Sequence, residues 1–160
     1  MEIRDATADD WPAIWPFLHA IVRAGETYTL PRDLDEAAAR AMWMRACVLV
    51  AVDGEAVLGT AKIVPNQGGP GAHVANASFM VDPAHAGKGV GRALGVAVLD
   101  RARADGYRAM QFNAVVETNT GAVRLWQALG FTVLETVPEA FHHPTHGYVG
   151  LHVMHRSLQG

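Results

Sequence analysis

The chain has 160 residues, half of them hydrophobic, and a net charge of −3. That is the length of one ordinary domain, spanning residues 1–160, with material for a sizeable core. No apolar run is long enough to span a membrane, no signal-peptide core follows Met1-Glu2-Ile3-Arg4-Asp5, and no basic run supplies the clustered charge that nucleic acid demands.

A short strand near Glu2–Arg4 opens the chain. Thr7-Ala8-Asp9-Asp10 then reads as a capping box or a close variant. Trp11, Ile14, Trp15, Leu18, Ile21 and Val22 follow at helical spacing. Pro12 suits a first turn, whereas Pro16 is expected to bend or interrupt the helix. A loop runs from Gly25 to Arg32, and the alanine-rich stretch Asp35–Arg45 reads as a second helix. Val48–Val52 and Ala56–Val64 flank Asp53-Gly54, a hairpin signal. Asn66–Gly71 is a glycine-rich loop. Val74–Val81 reads as a strand closed by Asp82-Pro83, and a helix runs from about Gly89 to Asp105, ended by Gly106. Arg108–Val116 is a strand, and Thr120–Leu129 a helix with Gly130 just past its end. Phe131–Val137 and Gly147–Met154 are the last strands. The order β-α-α-β-β-β-α-β-α-β-β implies a mixed α/β sheet.

Cys47 is the only cysteine, so no intrachain disulfide forms, which suits a reducing cytoplasm. Trp11, Trp15, Trp43, Met42 and Met44 read as core or interface residues, and a homodimer is compatible with them. Phe141-His142-His143-Pro144-Thr145-His146-Gly147-Tyr148 carries three histidines, and His152 and His155 follow. Their spacing fits no structural zinc pattern, so no metal is expected. A histidine or Tyr148 folded over an acceptor site is the better reading.

The unit with most chemical content is Gly87-Lys88-Gly89-Val90-Gly91-Arg92, between a strand and a helix. Glycines at alternate positions let main-chain N–H groups converge, and the helix adds its unpaired donors and positive dipole end. Lys88 and Arg92 add charge. Such a turn holds a phosphate or pyrophosphate. It is no Walker A loop, because Lys88 is followed by glycine. It is no dinucleotide fingerprint either, because Leu94 stands where the third glycine belongs.

Phe79-Met80-Val81-Asp82-Pro83 followed by this turn resembles the acetyl-CoA motif of the Gcn5-related N-acetyltransferase (GNAT) superfamily. Downstream, Asn119-Thr120-Gly121-Ala122-Val123-Arg124-Leu125-Trp126-Gln127-Ala128-Leu129-Gly130-Phe131 resembles the second motif of the family. The resemblance implies a mostly antiparallel sheet of six or seven strands, splayed between strands 4 and 5 and flanked by about four helices. It also implies acetyl-CoA as cofactor. Backbone of Phe79 and Val81 would pair with pantetheine, and Gly87, Lys88, Gly89, Val90, Gly91 and Arg92 would hold the pyrophosphate. Asn119 would approach the pantetheine arm, or would cap its helix, or both. The N–H near Met80 would stabilise the oxyanion as an amine attacks the thioester directly.

Two departures stand out. Ala86 occupies a position where the family often has Arg or Gln. Trp126 replaces the tyrosine that commonly protonates the leaving thiolate, and an indole is no acid at neutral pH. A thiol pKa of about 8.5 makes the thiolate a tolerable leaving group without help.

Glu26-Thr27-Tyr28-Thr29 lies where the family lines its acceptor pocket and is similar to a run in the phosphinothricin and methionine-sulfoximine acetyltransferases. Glu26 is therefore a candidate base or amine ligand, and Tyr28 a candidate substrate contact. Asn76, Asn113 and Asn119 resemble the fungal enzymes that detoxify the proline analogue azetidine-2-carboxylate. Asparagines on central strands need partners once buried, and a substrate carboxylate is one. The expected activity is acetylation of a small amino-acid-like amine. A non-catalytic acyl-CoA sensor, motivated by Trp126, and a protein or peptide N-acetyltransferase are the alternatives.

Overall fold

The computed structural model describes residues 1–45 and 47–160. Seven strands form one sheet in the order β1-β2-β3-β4-β5-β7-β6. They are β1 Glu2–Asp5, β2 Cys47–Asp53, β3 Ala56–Pro65, β4 Val74–Val81, β5 Ala109–Val116, β6 Thr132–His143 and β7 Gly147–Ser157. The helices are α1 Trp11–Ala24, α2 Glu36–Trp43, α3 Val90–Ala104 and α4 Thr120–Ala128. This is the mixed α/β sheet with four helices that the sequence predicts. No helix among the described residues is long and apolar enough to cross a membrane.

Alternation along the strands sorts side chains onto two cores. Leu94, Val98, Met110 and Met154 belong to the core on the α3/α4 face. Ile14, Leu18, Trp43 and Val50 belong to the core on the α1/α2 face. The Trp43 indole donates to Thr60 Oγ1 at 3.1 Å, and Thr60 donates to the Leu49 carbonyl at 2.8 Å, so the buried polar atoms of this second core are satisfied.

The helix expectations need two corrections. Pro16 does not interrupt α1, which is continuous from Trp11 to Ala24. Pro12 and Pro16 are both exposed, so the carbonyl that loses its donor can turn to water rather than break the helix. The second helix begins one residue later and ends earlier than predicted, because Asp35 is its N-cap and accepts from the Ala38 N–H at 2.8 Å. The last hairpin is longer than its sequence suggests. β6 passes Pro138 through an irregularity between Val137 and Phe141, where Glu139 takes a positive φ of 52°. Proline and a left-handed residue read as a turn, but on an edge strand they form a bulge.

The functional consequence lies in the middle of the sheet. β3 and β4 pair along most of their length, whereas parallel β4 and β5 pair only at Val74↔Ala109 and Ala75↔Met110. Beyond that point the two strands diverge.

Candidate active site

The gap between β4 and β5 opens into a cleft of about 630 Å³ that runs through the sheet. Ladder alternation fixes what β4 presents to it. The Asp82 N–H donates to the Leu58 carbonyl at 2.9 Å, and Asn66 N–H to the Val74 carbonyl at 2.8 Å. Even-numbered residues of β4 therefore bond to β3, and odd-numbered ones turn their N–H and C=O toward β5. With pairing to β5 ended at Ala75, the polar main-chain groups of Ala77, Phe79 and Val81 face the gap. Met80, paired with Thr60, faces β3 instead. The Met80 N–H, expected as the oxyanion donor, is thus bonded into the β3 ladder, and Phe79 presents the N–H that faces the gap.

Tyr28 already occupies that main-chain pair. Its hydroxyl donates to the Phe79 carbonyl and accepts from the Phe79 N–H. Burial of the hydroxyl end pushes the phenol pKa up, although the bond to Phe79 opposes the shift. The loop that carries Tyr28 is held at both ends. Gly25 ends α1 in the left-handed conformation at φ 69°, and a Cβ there would meet Arg32 at 2.7 Å. Arg32 Nε donates to the Arg23 carbonyl at 2.8 Å. Thr27, Tyr28, Thr29 and Leu30 line the cleft as a result. Glu26, the candidate base, is exposed and is not among the lining residues.

On the α3/α4 face the wall is aromatic and close-packed. Trp126 is buried, with ring centroids 4.5 Å from Phe79 and 5.0 Å from Phe112. Its indole is a packing surface here. The glycine turn sits above this wall. Gly87 and Gly89 both have φ 78°, in the region that side chains rarely adopt, and α3 starts at Val90 without a side-chain cap. Its first N–H groups are therefore free for a ligand. Gly91 lets the helix start approach α4, since a Cβ would lie 3.3 Å from Leu125 Cδ2. Gly95 does the same deeper in the helix, 2.6 Å from Leu129 Cδ1; the sequence signal for it was a glycine inside an otherwise regular helical pattern. Lys88 Nζ lies 3.1 Å from His85 Nδ1, and Lys88 and Arg92 are exposed. Asn119 is the residue before α4 but makes no side-chain capping bond, so its amide is left to the cleft that it lines.

The α1/α2 face is polar. Asn76, Ser78 and Asn113 line it, with Met42, Trp43 and Lys62. Asn113 is exposed rather than buried; its amide donates to Asn66 Oδ1 at 2.7 Å and accepts from Gln111 at 3.1 Å. Asn76 is half-buried, and among the described residues its side chain has no hydrogen-bond partner. Lys62, not singled out in the sequence, is half-buried, and burial followed by the nearby Arg45 lowers its pKa. The one trace of it in the sequence is a lone charge inside an apolar strand, which belongs to no motif. Tyr148 is 65 % exposed and stacks on His142 at the hairpin tip, away from the cleft. His143 Nδ1 accepts from the Thr145 and His146 N–H groups at 3.1 and 3.2 Å, so it shapes that turn. The expected histidine or Tyr148 cover is not part of the cleft.

The sequence profile of the acetyltransferase (GNAT) family matches residues 2–131. Among curated proteins, N-acetyltransferase aca1 of Schizosaccharomyces pombe is 29 % identical over 156 residues, covering 86 % of this chain and 75 % of that one. The L-methionine sulfoximine/L-methionine sulfone acetyltransferase of Salmonella typhimurium is 40 % identical over 62 residues, covering 39 % of this chain and 36 % of that one. A GCN5-related N-acetyltransferase from Kribbella flavida superposes with a TM-score of 0.95 at 60 % identity, over 98 % and 96 % of the two chains. yncA of Salmonella typhimurium, a structure with acetyl-CoA, superposes with a TM-score of 0.85 at 28 % identity, over 100 % and 95 %. The through-sheet gap, the anion-binding turn and these likenesses agree: the chain belongs to the GNAT family and is an acetyl-CoA-dependent N-acetyltransferase.

Proposed function

We propose that the protein acetylates the amine of a small amino-acid-like molecule held on the α1/α2 face of the cleft. The observation that carries this reading is the sidedness of the cleft. A glycine turn and an aromatic wall lie on one face of the sheet, and the amides of Asn76 and Asn113 and the hydroxyl of Ser78 lie on the other. The enzyme similar over 62 residues acts, by its name, on methionine sulfoximine and methionine sulfone, both amino-acid analogues.

The residues present fit acetyl-CoA. The free N–H groups at the start of α3 and the open positions at Gly87 and Gly89, with Lys88 and Arg92 beside them, suit a pyrophosphate. Phe79 and Val81 offer main-chain groups along the gap, and Asn119 and Trp126 line it. When bound, acetyl-CoA supplies an activated thioester open to direct attack by an amine. The Phe79 N–H is the β4 donor placed for a developing oxyanion. Tyr28 must release both Phe79 groups before a ligand can use them. Among the described residues no carboxylate or histidine lines the cleft, which supports loss of the amine proton through water.

The test is a thiol-release assay across a panel of amino acids, simple amines and peptides, beside calorimetric titration with CoA. The reading requires release with an amino acid. CoA binding without release by any amine makes the protein a sensor, and release with peptides alone makes it a peptide acetyltransferase.

A further inference from the structure

Among the described residues that line the cleft, Lys62 is the one with a charged side chain. It stands on β3, opposite Ser78 in the β3–β4 register, with the next same-face pair being Val64↔Asn76. Same-face neighbours at these offsets lie within reach of a long side chain. Its Nζ donates to the Met42 carbonyl at 3.1 Å and lies 5.3 Å from the centroid of the Trp43 ring. Both contacts are with α2.

An ammonium carries three donors, and Met42 accounts for one. Among the described residues no carboxylate lies in an ion pair with Lys62. A half-buried cation without a counter-ion is an unfavourable thing to keep unless an anion arrives to offset its desolvation. Its contact with the last turn of α2 offers partial compensation, because a cation is favourable at a helix C-terminus. That contact does not explain why the cation borders the cleft. Nor does it explain why the neighbouring Asn76 amide has no partner. A charge, a free amide and a hydroxyl on one face make a set that suits a carboxylate.

We propose that Lys62 is the counter-ion of the acceptor's carboxylate and so makes the enzyme select free amino acids over amides, simple amines and peptides whose carboxylate lies elsewhere. This inference rests on the amino-acid reading of the cleft and adds the determinant of that selectivity. The ammonium binds the carboxylate, Asn76 and Ser78 flank it, and the amine of the same molecule is directed toward the gap beside Phe79.

The experiment compares azetidine-2-carboxylate with its carboxamide, and methionine sulfone with its carboxamide, as acceptors for the wild type, Lys62→Met and Lys62→Arg. Each acid–amide pair shares a skeleton, so the ratio of kcat/KM values within a pair reports recognition of the carboxylate. A charge-assisted hydrogen bond of this kind corresponds to roughly tenfold to a hundredfold. The expected result is that Lys62→Met lowers the acid-over-amide ratio by about that factor, chiefly through KM. Lys62→Arg should restore most of it. Calorimetric titration of the CoA-loaded protein with the acid should show the same loss of affinity in Lys62→Met.

A parallel fall of acid and amide, with the ratio unchanged, would mean that Lys62 only docks α2, and would overturn the proposal. Failure of Lys62→Arg to restore the ratio would overturn it too, since arginine keeps the charge but cannot serve as a base at neutral pH. A wild-type protein that acetylates no amino acid would instead sink the functional reading on which the proposal rests. An unchanged ratio with an acetylated amino acid would sink the Lys62 assignment alone.

Discussion

The two faces of the cleft are built by different means. The α3/α4 face offers backbone: glycines at positive φ, free N–H groups at a helix start, and an aromatic wall beside them. The α1/α2 face offers side chains drawn from a loop and three strands: Thr27–Leu30, Lys62, Asn76 and Asn113. A backbone site tolerates changes in side chains but not in chain geometry. A side-chain site can be retuned residue by residue without disturbing the fold. Donor chemistry held on the first face and acceptor chemistry on the second would explain how one scaffold keeps its cofactor while changing its substrate.

The largest effect should come from breaking the backbone site. Gly89→Glu places a side chain at φ 78° and a negative charge beside the free N–H groups of α3. Calorimetry with CoA should show affinity falling by about a hundredfold or more, with circular dichroism unchanged. Unchanged affinity would remove the turn from the cofactor site.

Asn113→Ala on the other face should raise the acceptor KM by about tenfold and leave the acetyl-CoA KM nearly constant. The reverse pattern in steady-state kinetics would put Asn113 with the donor and erase the distinction between faces.

Tyr28 stands at the boundary. Its hydroxyl competes for the Phe79 groups, so Tyr28→Phe should tighten CoA binding by about fivefold, the worth of a neutral hydrogen bond or two. Weaker binding in the same titration would mean that the hydroxyl contacts the cofactor instead of standing in its place.

The smallest effect concerns proton transfer. Trp126 is a wall, and among the described residues no carboxylate or histidine lines the cleft. The pH dependence of acceptor kcat/KM should therefore follow the pKa of the acceptor amine, shifting when a less basic acceptor is used. Trp126→Phe should leave the shape of that profile unchanged. A fixed ionisation independent of the acceptor, or loss of the alkaline limb in the variant, would reveal an acid or base on the protein.

The backbone face was legible in the sequence because its requirements are local. Gly87, Gly89, Gly91 and the helix after them are contiguous, and Asn119–Phe131 is a second contiguous run. The splay between β4 and β5 followed from the same resemblance. The α1/α2 face was not legible to the same degree, because its members lie far apart in sequence and meet only through the sheet register. Glu26 and Tyr28 are two residues apart, yet one is exposed and the other bonds to Phe79, a difference set by how Gly25 and Arg32 turn the loop. Met80 and Phe79 differ by one position, and only the alternation of the β3–β4 ladder decides which faces the gap. Lys62 escaped notice because a lone strand lysine carries no motif.

The most direct test of the two-faced cleft is a crystal structure of the protein with CoA and an amino-acid acceptor. The account predicts pyrophosphate oxygens on the N–H groups of residues 87–92 and pantetheine along Phe79 and Val81. It also predicts the Tyr28 hydroxyl displaced from Phe79, and the acceptor on the opposite face near Asn76 and Asn113. Cofactor and acceptor on the same face of the sheet, or CoA bound with Tyr28 still bridging Phe79, would contradict it.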